Sequence, residues 1–208
     1  MNYNSVIFDL DGTLLESSGD DLSWMHRAVE DALDEHGCNE ELSDSVLEKL
    51  AGIKGFQEFE DSCEKIGVEP EKFWSSVEKH RERRKIQYIE AEGLELREGT
   101  RELLEYLHEN EMRIGLISNS PDASVDSIVR YFDLDRFFHF FRGVTQLEDL
   151  AHRKPDPWHL EMAKAEMRHS PYVHVGDADT DLEAAENANI DALDVREFEL
   201  SEIKEEIV

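Results

Sequence analysis

Short apolar, β-prone runs that each end in a cluster of polar side chains recur along this chain, and they constrain its fold more than any other feature. Ser5-Val6-Ile7-Phe8 leads into Asp9-Leu10-Asp11-Gly12-Thr13, Arg113-Ile114-Gly115-Leu116-Ile117 into Ser118-Asn119-Ser120, and Tyr172-Val173-His174-Val175 into Gly176-Asp177. Between the later runs the apolar period turns helical. Leu103, Leu104 and Leu107 share a face, as do Val125, Ile128, Val129 and Phe132 behind Pro121, and Leu160, Ala163 and Met167 behind Asp156-Pro157. Phe137–Val144 reads as a further strand, and a helix near Leu182–Ala188 precedes a last strand over Ile190–Val195. Alternation of this kind predicts a parallel sheet covered by helices, with right-handed connections.

The block from Glu16 to Gly93 breaks that alternation. Leu22, Met25, Val29, Ala32 and Leu33 fall on one helical face, with Asp20 and Asp21 in the first turn and Gly37 as the stop. Ser43 is placed to cap a short helix carrying Leu47 and Leu50. Phe56, Phe59, Cys63 and Ile66 make another stripe, ended by Gly67, and Pro70 suits the first turn of a helix carrying Phe73 and Val77 towards Ile89. No strand pattern interrupts this block. The expected organisation is an α/β core over 1–15 and 94–208 with an all-helical domain inserted over 16–93. The acidic tail from Glu197 is expected to be peripheral.

Charge narrows the partners. With 50 acidic and 22 basic side chains the formal net charge is −28, which repels a phosphate backbone and argues against nucleic acid. The 10 Phe, 3 Trp and 5 Tyr lie within the periodic patterns, unlike a disordered acidic tail. Such self-repulsion suits concentrated salt, where at about 1 M the screening length falls to about 3 Å. The 9 Lys against 13 Arg agree, and a halophile's cytoplasm is the expected setting. No apolar run reaches the roughly 20 residues of a membrane helix, and no basic-plus-apolar leader precedes the first strand. Cys38 and Cys63 have no metal-type spacing and read as reduced thiols.

The polar clusters carry the chemistry. In an open parallel sheet the strand tips converge on a common crevice, which brings together Asp9/Asp11, Ser118/Asn119, Lys154 and Asp177/Asp181. Carboxylates gathered without compensation are strongly unfavourable, so a cation is required. Oxygen-only ligands favour a hard ion, and Mg²⁺ is the usual one where phosphate is also present. One carboxylate can then attack phosphorus, while Lys154, the Ser118 hydroxyl and backbone amides near Gly12 and Asn119 hold the equatorial oxygens.

F-D-L-D-G-T-L (Phe8–Leu14), I-S-N-S (Ile117–Ser120), R-K-P-D-P (Arg153–Pro157) and V-G-D-A-D-T-D (Val175–Asp181), in that order over almost the whole chain, resemble the haloacid dehalogenase-like hydrolase superfamily. The resemblance is closest to its phosphoglycolate phosphatase-like branch, whose helical cap lies between the first and second motifs. It implies a Rossmann-like core with a helical cap and Mg²⁺-dependent hydrolysis of a small phosphorylated metabolite through an aspartyl-phosphate, by a monomer or homodimer. Position by position, Asp9 resembles the nucleophile and a metal ligand, and Asp11 the general acid/base, with its main-chain carbonyl on the metal. Ser118 and Asn119 resemble the phosphate-binding pair, Lys154 the residue that offsets charge on nucleophile and phosphate, Asp177 a direct metal ligand, and Asp181 a direct or water-mediated one. Ala178 departs from relatives that often carry a hydroxyl there.

Three rivals remain. Dehalogenases of this fold lack the second aspartate of D-x-D, which Asp11 supplies. Phosphomutases carry a histidine near position 21, where this chain has Asp21. A non-catalytic binding protein is expected to have lost a motif residue, and none is lost. The run Lys79-His80-Arg81-Glu82-Arg83-Arg84-Lys85 reads first as a solvated face pairing with nearby acids, and second as a cationic patch for anionic substrates.

Overall fold

The structure is a computed structural model and describes residues 3–17, 23–38, 41–91 and 93–207. In chain order its strands and α-helices are β1 (Ser5–Phe8), β2 (Leu15–Ser17), α1 (Ser23–Glu35), α2 (Asp44–Leu50), α3 (Phe56–Ile66), α4 (Pro70–Glu90), β3 (Leu94–Leu96), α5 (Thr100–Glu109), β4 (Arg113–Pro121), α6 (Asp122–Tyr131), β5 (Phe140–Val144), α7 (Trp158–Met167), β6 (Tyr172–Gly176), α8 (Asp179–Asn187), β7 (Asp191–Asp194) and α9 (Leu200–Ile207). Two compact units result. One comprises Met1–Ser17, Leu94–Val144 and His152–Val208, and the other Ser18–Gly93 with Thr145–Ala151.

The first unit is an α/β fold around a five-stranded parallel sheet ordered β5-β4-β1-β6-β7. Every residue of β1 is buried, as expected of a central parallel strand covered on both faces. Ile7 and Ile117 pack with Leu160, Ala163 and Met167 of α7 and with Ala184, Ala185 and Ala188 at α8. From β1 the chain progresses outward in both directions, so the crevice beyond its C-terminal tip lies at the switch point of the sheet. Strand β4 runs on through Pro121, with a register shift between Ile117 and Pro121. Ser118, Asn119 and Ser120 therefore occupy an irregular strand end, where side chains are re-aimed.

Two expectations change. Residues 15–17 form β2, an antiparallel partner of β3 with Leu15 opposite Leu96, whereas the insertion was expected to begin at 16. The tail is not peripheral. Leu200, Ile203 and Ile207 recur at helical spacing and are buried along α9, and the Tyr3 N–H donates to the Ile207 carbonyl at 3.1 Å.

The second unit is helical. Ala28, Val29, Ala32 and Leu33 form the buried face of α1, and Phe59 lies 6.3 Å from Phe73 and edge-on to Trp74 at 5.4 Å. Gly67 ends α3 at φ 74°, the left-handed C-cap its position requires. Leu147 and Leu150, far along the sequence, are buried in this unit. Gly52 sits so close to Trp74 and Leu150 that an added Cβ would fall 2.9 and 3.3 Å from them.

The basic run is folded into this unit. The Arg81 guanidinium is buried, donates to the Ala51 carbonyl and lies over Trp74. Arg84 pairs with Asp31 through two 2.8 Å bonds. Lys85 is buried with its Nζ over the Trp24 ring, and that ring stacks on Tyr88. Cys38 and Cys63 are free thiols, and burial pushes the Cys63 thiol up to about 12. Among the described residues no helix is long and apolar enough to cross a membrane. Asp20, Asp21 and Leu22 lie outside the described residues.

Candidate active site

All eight residues expected at the site belong to the α/β unit. Asp9 immediately follows β1, and its N–H continues the sheet by donating to the Val175 carbonyl at 2.9 Å. Asp177 follows β6, and Asp181 lies in the first turn of α8. Carboxylate oxygens of Asp9, Asp177 and Asp181 lie within 4.8 Å of one another.

Lys154 enters this cluster from the loop before α7. Its buried ammonium donates to Asp9 Oδ1 at 2.5 Å and also to Asp181 Oδ1. Burial alone would depress this ammonium, and the carboxylates of Asp9 and Asp181 outweigh burial and raise it above the ordinary lysine value. Burial pushes Asp9 up, with Lys154 opposing and Asp181 and Asp11 adding, to about 7. Burial also raises Asp177, helped by the charge of Asp181. Asp181 is opposed by burial, but the His174 hydrogen bond and Lys154 hold it below the usual carboxylate range. Burial first, and then the charge of Asp181, thus hold Asp9 and Asp177 towards their neutral forms.

Two glycines permit this approach. Gly12 adopts φ 87°, and a Cβ there would collide with the Asp177 carboxylate. At Gly176 a Cβ would collide with Asp181. The Gly12 N–H donates to the Leu15 carbonyl at 2.8 Å. The lack of a side chain at Gly12 is what gives the Asp177 carboxylate its room.

The second motif divides its work. Ser118 is buried, and its Oγ accepts the Ser120 N–H at 3.0 Å, which leaves the hydroxyl proton to donate elsewhere. Asn119 faces the lysine loop: its Nδ2 donates to the Lys154 carbonyl at 3.2 Å, and its Oδ1 accepts the Lys154 N–H at 2.9 Å. Its side-chain amide therefore clamps the Lys154 main chain.

Three contributors escaped the sequence reading. The Ser120 hydroxyl donates to Asp11 Oδ2, and Thr13 Oγ1 to Asp177 Oδ1 at 3.2 Å. His174, assigned no role, lies wholly buried against Asp181. Ser120 and Thr13 stand inside the quoted motifs. His174 is a titratable residue in the interior of an apolar strand, and that was the available signal. Ala178 also resolves: its N–H donates to Asp181 Oδ2 at 3.0 Å, which closes the acidic loop without a hydroxyl. Asp179 is exposed and meets Arg196 at 2.9 Å.

A parallel α/β sheet that gathers carboxylates and one lysine at its switch point defines a hydrolase core of the haloacid dehalogenase type. The chain belongs to the haloacid dehalogenase-like hydrolases, whose family model matches residues 6–195. A phosphoglycolate phosphatase of Cereibacter sphaeroides is 31% identical over 196 residues, covering 89% of this chain and 81% of that protein. The pyrophosphatase PpaX of Anoxybacillus flavithermus is 27% identical over 194 residues, covering 90% and 81%. In fold, the crystal structure of CbbY from Rhodobacter sphaeroides in complex with phosphate is similar at a TM-score of 0.67, with 20% identity over 91% of this chain and 84% of that one.

Proposed function

We propose that this hydrolase is a Mg²⁺-dependent phosphatase that cleaves a small phosphomonoester through an aspartyl-phosphate on Asp9, and that Ser18–Gly93 serves as its cap. The observation that carries the reading is the convergence of the Asp9, Asp177 and Asp181 carboxylates, with the Lys154 ammonium bonded to Asp9 and Asp181. Relatives named phosphoglycolate phosphatase and pyrophosphatase favour phosphorus as the reacting atom.

The donor set fits a hard divalent cation, since it is all oxygen. Asp9, Asp177 and the Asp11 main-chain carbonyl would hold it directly. Asp181 already accepts from Lys154, His174 and Ala178, which suits contact through water. When bound, the ion supplies positive charge against the phosphate oxygens.

Asp9 attacks phosphorus, forming an O–P bond as the ester O–P bond breaks. Asp11, steered by Ser120, gives its proton to the leaving oxygen. A water then attacks the phosphoaspartate, Asp11 takes that water's proton, and Asp9 is released. Lys154 holds the Asp9 carboxylate in line and neutralises charge as the phosphoryl group arrives. The Ser118 hydroxyl donates to an equatorial oxygen. The acid surface and D-x-D pair fit an enzyme of a salt-rich cytoplasm acting on small metabolites.

A panel of phosphomonoesters with Mg²⁺, run in low and in multimolar KCl, tests the reading. Hydrolysis that stops on chelation is expected. Failure on every ester in both salts, or activity indifferent to chelation, overturns it.

A further inference from the structure

We propose that His174 is a positioning residue of this site: its imidazole sets the direction of the Asp181 carboxylate, and thereby holds the Lys154 ammonium against Asp9. The ring is wholly buried within β6. Its register partner on β1 is Ile7, two residues before Asp9. Nδ1 lies 2.8 Å from the Ile7 carbonyl, and Nε2 lies 3.1 Å from Asp181 Oδ1. Lys154 donates to that same Oδ1 and, at 2.5 Å, to Asp9 Oδ1. One line of polar contacts thus runs from the main chain of β1, through ring, carboxylate and ammonium, back to the residue at the end of β1.

The geometry requires a rigid member. A carboxylate turns about its last side-chain bond, and an ammonium on a flexible stem has three rotatable donors and imposes no direction of its own. The Ala178 N–H fixes only Oδ2. The imidazole is flat, packed on every side and anchored to a carbonyl, so it can fix Oδ1. An apolar side chain of similar volume would fill the same space without burying polar nitrogens. The polar ring is explained by what it holds.

The catalytic consequence rests on the phosphatase reading, so the test has one arm that does not. H174N keeps an amide near the Nδ1 position, towards Ile7, and withdraws from Asp181. H174Q places its amide near Nε2, within reach of Asp181. Outer-shell partners are typically worth about 10–100-fold in metal affinity or activity. H174N is expected to lose that much in kcat on p-nitrophenyl phosphate, with KM changed by less than about threefold, and to weaken Mg²⁺ binding in calorimetry. H174Q is expected to recover most of both.

Equal loss in the two variants, or wild-type values in both, overturns the proposal. If wild-type protein binds Mg²⁺ but cleaves no phosphoester, the phosphatase reading falls, and the calorimetric comparison of H174N with H174Q still decides the role of His174. If neither variant folds, ¹⁵N-histidine NMR of the wild type decides it. Saturating Mg²⁺ should move the His174 Nε2 resonance more than Nδ1, and a ring indifferent to Mg²⁺ contradicts the assignment.

Discussion

Ser120 Oγ donates to Asp11 Oδ2 across 2.6 Å, so a hydroxyl on β4 steers a carboxyl from the loop after the neighbouring strand β1. A hydrogen bond to a charged group is worth about 1.5–3 kcal/mol, and this one also fixes the direction of the Asp11 carboxyl. Ser120→Ala should leave the fold intact and lower kcat about tenfold, with KM little changed. Steady-state kinetics on an alkyl phosphate measures this, and an unchanged kcat removes Ser120 from the mechanism.

Asp9→Asn should abolish turnover while Asp181 still holds Lys154, because the amide keeps the shape of the carboxylate but does not attack phosphorus. Mass spectrometry of wild-type enzyme trapped in turnover should place the phosphoryl group on Asp9. Recovery of the label at any other carboxylate would sink the nucleophile assignment.

Asp11→Asn should slow alkyl esters by about 10²–10⁴-fold, the usual worth of general acid–base help. From an aryl phosphate the aryloxide leaves without needing a proton, so the loss in the first step should be smaller. Equal losses for both classes would count against the acid role.

Arg84 and Asp31 make a two-point ion pair within the helical unit, and the guanidinium holds the Asp31 carboxyl below the usual range. Arg84→Ala is therefore expected to act on stability, not on substrate. A loss of about 1 kcal/mol, the upper end for partly exposed pairs, corresponds to roughly 2–4 °C in Tm. A raised KM for carboxylated phosphates with unchanged Tm would restore the substrate role.

Salt should stabilise this protein. At about 0.01 M the screening length is about 30 Å, and acids across a whole domain repel one another; at about 1 M it is about 3 Å. A net charge of −28 makes that repulsion large. Melting temperature and kcat/KM should both rise between about 0.1 and 2 M KCl, and a flat or falling Tm ends the halophile reading without touching the site.

Much of the core was legible because its signals are local. Each strand–tip pairing, Phe8 with Asp9 or Val175 with Asp177, lies within a few residues of sequence and is fixed by a continuous apolar run and the turn that follows. What escaped depends on contacts between distant residues. His174 lies seven positions from Asp181 and reads as one polar residue in an apolar strand until β1 is laid beside it. Asn119 could not be known to grip the Lys154 main chain, because that bond joins the end of β4 to a loop 35 positions away. The helical period of Leu200, Ile203 and Ile207 was visible in the tail, but the dense acid between them concealed the face that is buried.

The return of Thr145–Ala151 to the helical unit means that this unit is not a single cassette in the chain. Excising 18–93, or grafting a relative's helices in their place, would strand Leu150 without Gly52 and Trp74 beside it. A transplant of specificity between members of such a family would then need two cuts rather than one: the long insertion, and seven residues taken from beyond the third strand of the sheet in chain order.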